Sequence, residues 1–442
     1  MAAVPVRPPS ARRALLAGSV GNFVEWYEFG VYGSFATVLA ARFFTPDGGD
    51  RAQALIAAYA AFAVAFFFRP LGALLFGRLA DRAGRRPALV LAVSLMAGAT
   101  ALIGALPAYS AIGALAPWLL TVLRCVQGLS AGGEFGGAVS LLTETAPPGR
   151  RGRHGAWQSF TVALGLLSGA GLAAGLATLL SESALYAWGW RVPFLLAVPL
   201  GAVALWLRLR LPESTPPPPA TPPPHQRPDA PAPAGVPGSS RVRGGAGIGW
   251  AVVVGVGRIM GWSAAGYTFL VVLPSYLQAT LGTTFQQALA ATFVANLGFA
   301  AAILPAGALS DRVGRRAVML TGSVLVVLSA LPLLHLLRDP AVSVPAKAAL
   351  LAAAGAMIGL LAGPGPALLA EMFPTRVRST GLGLAYALSN AVFSGCAGLI
   401  VTALVRHTGN PDIPAYYAAG ACALAVPALL TLRPDDHLRP LR

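Results

Sequence analysis

Four polar side chains near the start of the chain recur at i, i+3, i+6 and i+10: Asn22, Glu25, Glu28 and Tyr32. On a helix that spacing gathers them into one stripe. The residues around them are apolar enough to form a membrane span. Counted from a helix start near residue 14, Glu25 and Glu28 lie roughly 11–14 residues in, which at ~1.5 Å per residue is mid-bilayer depth. Ionisable groups in hydrocarbon are costly and mark pathways for ions or solutes. A carboxylate there that takes up and releases a proton is a proton carrier. The histidines do not compete for the role, because His154, His225, His335, His407 and His437 fall near span ends, in a linker or in the tail. Glu25 and Glu28 are therefore the expected proton-coupling residues.

Three arginines also sit inside apolar runs. Arg124 is midway along the fourth run, with Glu134 nearly three turns further on, Arg69 is in the inner third of the second, and Arg258 is about eleven residues into the seventh. A guanidinium binds a carboxylate through paired hydrogen bonds, so Arg124 or Arg258 is expected to hold a substrate carboxylate. Both together would suit a dicarboxylate. A zwitterion would need one such arginine and an aromatic cage for its cation, for which Trp26, Tyr27, Trp262 and Tyr267 are candidates.

The elements that must position these groups follow from composition. Of 442 residues, 56% are hydrophobic and 11% charged, against about 25% charged in soluble domains. Twelve apolar segments are predicted, at about 15–41, 53–77, 87–107, 112–143, 155–181, 190–211, 248–281, 286–309, 317–337, 345–370, 378–406 and 413–432. The expected protein is an all-α membrane protein. Its expected divisions are a cytoplasmic N-terminus (1–14), a six-helix bundle (15–211), a linker (212–247), a second six-helix bundle (248–432) and a tail (433–442). Twelve prolines between Pro212 and Pro237 make the linker an extended tether.

The net charge of +16 is almost all arginine, in short clusters between apolar runs rather than on one face. That excludes the footprint of a nucleic-acid binder. With both termini cytoplasmic, inside segments hold 23 of the 32 basic residues and outside loops six, the rest being Arg69, Arg124 and Arg258. This asymmetry predicts a multi-pass protein of the cell membrane with both ends inside. Cys125, Cys396 and Cys422 lie in apolar runs as packing residues, not as a disulfide or metal set. The glycine-rich stretches 165–175 and 355–365 lack the lysine and strand context of a phosphate loop, so close helix packing is expected there. No catalytic, metal or cofactor constellation stands out, which leaves an ion gradient as the energy source. Lipids, a small solute and protons are the expected partners of a monomer.

Two motifs repeat. Gly77-Arg-Leu-Ala-Asp81-Arg82-Ala-Gly84-Arg85-Arg86 matches Gly307-Ala-Leu-Ser-Asp311-Arg312-Val-Gly314-Arg315-Arg316, 230 residues later. Glu144-Thr-Ala-Pro147 with Arg151 and Arg153 matches Glu371-Met-Phe-Pro374 with Arg376 and Arg378, at an offset of 227. Two motifs at nearly one offset indicate duplicated halves. Their charges are expected to pair across the cytoplasmic face as a gate that opens and closes with transport. The same offset places Arg258 opposite Glu28.

These cytoplasmic motifs resemble the signature loops of the major facilitator superfamily. Gly21-Asn22-Phe-Val-Glu25-Trp26-Tyr27-Glu28-Phe29-Gly30-Val-Tyr32-Gly33, Phe68-Arg69-Pro70-Leu71-Gly72, Gln127-Gly128-Leu-Ser-Ala-Gly132-Gly133-Glu134 and Trp188-Gly189-Trp190-Arg191-Val-Pro193-Phe194 narrow the likeness. They are similar to the metabolite:proton symporters, the branch of proline/betaine, α-ketoglutarate, citrate and shikimate permeases. Pro414-Ala-Tyr416-Tyr417 is similar to the last helix of the proline/betaine members. The resemblance implies the two-bundle facilitator fold and proton-coupled uptake of a small carboxylate-bearing metabolite or zwitterionic osmolyte. It also brings Asn22, Tyr27, Tyr32, Gln127 and Glu134 into the expected binding site. Two departures stand out. Glu25-Trp26-Tyr27-Glu28 replaces the usual Glu-Trp-Phe-Asp, and the sequence ends soon after the twelfth segment, so osmotic activation through a C-terminal coiled coil is not expected. Rival readings are a di- or tricarboxylate or shikimate symporter, a proton-coupled exporter, and a membrane enzyme or sensor.

Overall fold

The computed structural model describes residues 11–45, 49–132, 134–209, 245–439 and 441. The expected proline-rich linker lies outside the described residues apart from its helical end. Among them, long helices follow one another twelve times. In the first half, α1 is Ala11–Ser34, carried on by Ala36–Leu39 and Ala40–Phe44. Then come α2 (Arg51–Ala83), α3 (Arg85–Ala105), α4 (Leu115–Ala131 and Glu134–Glu144), α5 (Arg151–Leu179) and α6 (Glu182–Leu209). The second half has α7 (Gly245–Tyr267, extended by Thr268–Val272 and Leu273–Ala279), α8 (Phe285–Val313), α9 (Arg315–Arg338), α10 (Val344–Met372), α11 (Arg378–Thr408) and α12 (Ile413–Leu430).

Ten of these segments have the length and apolarity to cross a membrane. Of the other two, α1 carries the polar stripe, which lowers its hydropathy, and α4 is described as two apolar pieces of 17 and 11 residues, Leu115–Ala131 and Glu134–Glu144.

Glycine fixes the two matched turns. Gly84 between α2 and α3 and Gly314 between α8 and α9 have φ of 94° and 93°, a region that a side chain would strain. Glycine also sets helix spacing at positions related by the repeat. A Cβ on Gly128 of α4 would collide with the carbonyl oxygen of Ala65 on α2, and one on Gly355 of α10 would collide with that of Ala295 on α8. These two glycines are 227 residues apart, the same offset as Glu144 and Glu371. The helices therefore touch backbone to backbone. This contact holds Arg69 of α2 and Arg124 of α4 side by side. In α5, a Cβ on Gly165 would press on the α1 backbone at Phe23 and Tyr27, so the glycine-rich stretch there serves packing.

The halves meet at both ends. On the side reached by the C-terminal ends of α1 and α7, Thr37 donates to Gln278 at 2.9 Å and the Tyr59 and Ser275 hydroxyls lie 2.6 Å apart. Arg406 in the last turn of α11 pairs with Asp50 before α2 at 2.6 Å. At the opposite end, Ser159 of α5 donates to the Ala362 carbonyl of α10 at 2.8 Å. The two bundles are closed over the centre from both sides.

Candidate functional site

The α1 stripe is buried throughout: Asn22, Glu25, Glu28 and Tyr32 are 7%, 5%, 1% and 0% exposed. Their partners lie on the helices packed around α1. Asn22 donates to Thr161 Oγ1 (2.6 Å) and the Gln158 carbonyl (3.2 Å) of α5. Glu25 forms an ion pair with Arg69 of α2 at 2.9 Å. Tyr32 donates to the Ala58 carbonyl of α2 at 2.8 Å.

Glu28 is different. Among the described residues it forms no ion pair; its carboxyl faces the Gln127 amide, whose nitrogen is 3.3 Å from Oε2, and the Thr100 hydroxyl, while its Oε1 has no hydrogen-bond partner. Gln127 also donates to the Thr100 hydroxyl of α3 (2.6 Å), and its carbonyl accepts from Arg124 Nη1 at 2.7 Å. Burying an unpaired ion costs several kcal/mol, whereas a carboxyl that holds a proton is spared that cost. The acid and the arginine are thus close but joined through a neutral amide.

Aromatic rings wall both arginines. The Arg69 guanidinium lies 4.5 Å from the Phe66 ring, 4.8 Å from Phe29 and 5.6 Å from Trp26. That of Arg124 lies 4.5 Å from Tyr32, 4.8 Å from Phe62 and 4.9 Å from Phe29. Ring faces carry partial negative charge and partly replace the water these cations lose. The second half contributes Tyr267 of α7, packed edge-on against Trp26 (6.1 Å) and Phe66 (5.6 Å), its hydroxyl without a partner among the described residues.

Most of the predicted residues converge here: Glu25, Glu28, Arg69, Arg124, Gln127, Trp26, Tyr32 and Tyr267. Others do not. Tyr27 turns away and donates to the Pro193 carbonyl of α6 at 2.8 Å. Trp262 packs against Tyr386 of α11 at 5.7 Å. Arg258 is not placed opposite Glu28. Its side chain reaches α12 instead, donating to the Ala428 carbonyl (3.3 Å) and Thr431 (2.8 Å). The Glu134 side chain lies outside the described residues. Sequence reasoning missed Thr100, Phe29, Phe62 and Phe66. Phe62, Phe66 and Arg69 do recur at helical spacing, a signal that the phenylalanines line the face of the arginine.

At the end where Ser159 meets Ala362, the repeated motifs cross between halves. Arg378 pairs with Glu144 at 2.5 Å and Arg151 with Glu371 at 3.5 Å. The two pairs are one contact used twice, since both members are displaced by 227 residues. Asp311 caps α5 from the other half, accepting from the Gly152 and Arg153 amides at 2.7 and 2.9 Å. A carboxylate there satisfies orphan N–H groups and faces the positive end of the helix dipole. Arg315, buried, ties Asp311 (2.8 Å) to Glu371 (3.1 Å). Gly307 lies against the Gly152 backbone. Arg82, Arg312 and Arg376 are exposed, and Arg86 donates to the Leu209 carbonyl. The side chains of Asp81 and Arg85, and the surroundings of Gly77, lie outside the described residues.

Twelve helices in two matched bundles, with ionisable groups buried between them, define the class of a membrane carrier. Comparison with known proteins specifies it. Residues 14–216 match the family described as Sugar (and other) transporter, and residues 251–442 match the Major Facilitator Superfamily. The glycine betaine/proline/ectoine/pipecolic acid transporter OusA of Dickeya dadantii is 35% identical, over 95% of this chain and 82% of that protein. The alpha-ketoglutarate permease of Escherichia coli is 36% identical, over 88% and 87%. A crystal structure of a D-xylose-proton symporter has the same fold, with a TM-score of 0.71 at 19% identity over 95% of this chain and 96% of that one. The chain belongs to the major facilitator superfamily, and it is a multi-pass membrane transporter.

Proposed function

We propose that this protein takes up a small carboxylate-bearing solute together with protons by alternating access, and that a zwitterion of the proline or glycine betaine kind is its substrate. The observation that carries the coupling is Glu28, a fully buried carboxyl with no ion pair among the described residues and one bare oxygen. The observation that favours a monocarboxylate is the arginine balance. Arg69 is matched to Glu25, whereas Arg124 is held by Gln127 and the Phe62 carbonyl, with no acid in ion-pair range among the described residues. One uncommitted guanidinium beside aromatic rings suits one carboxylate and one organic cation. The name of the OusA relative points the same way. A di- or tricarboxylate is the second reading, favoured by the permease relative. A place in the cell membrane, with both termini cytoplasmic and bundles at 15–211 and 248–432, fits the arginine distribution.

Proteoliposomes with an alkaline interior test both parts. Wild-type protein is expected to accumulate radiolabelled proline or glycine betaine, and competition with α-ketoglutarate, citrate and shikimate ranks the alternatives. Glu28→Gln is expected to abolish accumulation driven by the pH gradient. Gradient-driven uptake that survives in this variant would remove Glu28 from the coupling.

A further inference from the structure

Six tyrosines are buried among the described residues, and five of them place their hydroxyls on a partner within the protein. Tyr27, Tyr32 and Tyr276 donate to backbone carbonyls, Tyr59 meets the Ser275 hydroxyl, and Tyr386 has the Asn390 side chain. The sixth, Tyr267 of α7, has no partner among the described residues. A tyrosine is readily buried for its ring, but its O–H then ordinarily finds an acceptor.

The surroundings of Tyr267 show what kind of acceptor is missing. Its ring reaches from the second bundle to Phe66 (5.6 Å), Trp26 (6.1 Å) and Phe62 (6.2 Å) of the first. Phe66 and Trp26 cover the Arg69 guanidinium, and Phe62 covers that of Arg124. Tyr267 therefore stands at the seam between two cation pockets, within electrostatic range of both arginines. Each arginine also has an Nε–H without an acceptor among the described residues. Around this seam α2, α4 and α7 each bring a buried donor that lacks an acceptor. A carboxylate has two oxygens with about four lone-pair sites and no hydrogen of its own to oppose a donor. An organic cation, by contrast, uses the face of the ring and gives the hydroxyl nothing to bond.

We propose that the Tyr267 hydroxyl is a specificity-determining group that donates a hydrogen bond to the substrate carboxylate, giving the second bundle its own contact with the anionic end of the solute. A phenol does this without adding charge. With Arg69 matched to Glu25, Arg124 supplies the positive charge and Tyr267 a further hydrogen bond, a balance suited to one carboxylate. The inference rests on the carboxylate-bearing substrate proposed above. It assigns Tyr267 to the anion of that substrate, whereas the sequence placed it in the cage of the cation.

Isothermal titration calorimetry and thermal unfolding of the full chain in detergent test the assignment. The ligands are glycine betaine, proline and α-ketoglutarate, with choline as the probe that keeps the trimethylammonium group of betaine and has no carboxylate. Tyr267→Phe keeps the ring and removes only the hydroxyl. It is expected to weaken whichever of the carboxylates the wild type binds by about tenfold or more, the size of a hydrogen bond to a charged group. Its affinity for choline should equal that of the wild type. Without ligand it should unfold at the wild-type temperature or above, because a buried hydroxyl without a partner has been removed. A Tyr267→Phe protein that unfolds earlier, or does not fold, has lost a structural contact of the hydroxyl, and that result overturns the proposal. Carboxylate affinity equal to that of the wild type overturns it as well, and leaves Tyr267 as a wall of the cation cage. A wild type that binds none of the three carboxylates overturns the substrate reading itself and the proposal with it, and this is read before any variant is compared.

Discussion

Glu25 and Glu28 are one helical turn apart, have the same chemistry and do different work, because the residues opposite them differ. Glu25 faces Arg69 at 2.9 Å; Glu28 faces an amide. Arg69 in turn depends on Glu25, since its Nε has no hydrogen-bond partner among the described residues and only the rings of Trp26, Phe29 and Phe66 cover the rest. Removing one member of a buried pair costs about 3–5 kcal/mol because the other charge stays buried. Glu25→Leu should therefore lower stability by an amount of that order, read as thermal unfolding in detergent. Adding Arg69→Met should restore most of it, because a buried pair replaced by apolar side chains of similar size is often neutral. A double variant no more stable than the single would mean that Arg69 is not held by Glu25. The stripe itself was legible from the sequence, since i, i+3 spacing puts side chains on one face whatever the tertiary fold. Which of its two acids was ion-paired was not legible, because that depends on α2 and α4.

At the scale of helices, the same site depends on how closely α2 and α4 approach. Gly128 lies where a methyl group would strike the Ala65 carbonyl, and Gln127 and Arg124 are on the same short helix. Gly128→Ala must push the helices apart, at a cost of about 1–3 kcal/mol for overpacking. It would also lengthen the distances from α4 to Glu28 and Thr100. The expected result is a transporter that folds with lower thermal stability and a sharply reduced turnover in proton-driven uptake. Gly98→Ala, where a Cβ meets nothing within 4 Å, is the control. Normal uptake by Gly128→Ala would show that the spacing is not needed. The offset also misplaced Arg258. The two repeats gave offsets of 230 and 227 residues, a difference of ~4.5 Å along a helix, which identifies the matching helix but not the side chain's partners, and α7 presents Arg258 to α12. For α4 and α10 the 227 offset holds, and there it reveals divergence: Arg124 and Gln127 correspond to Leu351 and Ala354, both buried and apolar.

For the molecule as a whole, duplication and divergence have separate jobs. The duplicated charges lie where the halves must part, and the unmatched ones lie where a solute would sit. Closure at the end where Ser159 meets Ala362 rests on a contact used twice, Glu144 with Arg378 and Glu371 with Arg151, and on Asp311 capping α5 across the divide. If this face is a gate, its charges bias an equilibrium between closed and open, and ~1.4 kcal/mol of bias changes the open population about tenfold while it remains the minor state. Glu144→Arg sets two guanidinium groups against each other at a position where Arg378 is only 1% exposed. It should raise the rate at which a water-soluble maleimide labels a Ser159→Cys probe, in a background free of the native cysteines, by roughly tenfold or more. Reversing both partners, Glu144→Arg with Arg378→Glu, returns opposite charges to the contact and should bring labelling back toward the starting rate. Arg378 also contacts the Ala370 and Phe373 carbonyls through its Nε, contacts that glutamate cannot make, so the recovery is expected to be partial. Labelling that does not respond to the single reversal would mean that the pair holds the fold and not the gate. Labelling that rises equally in both variants would assign the closure to Asp311 and the α5 terminus instead.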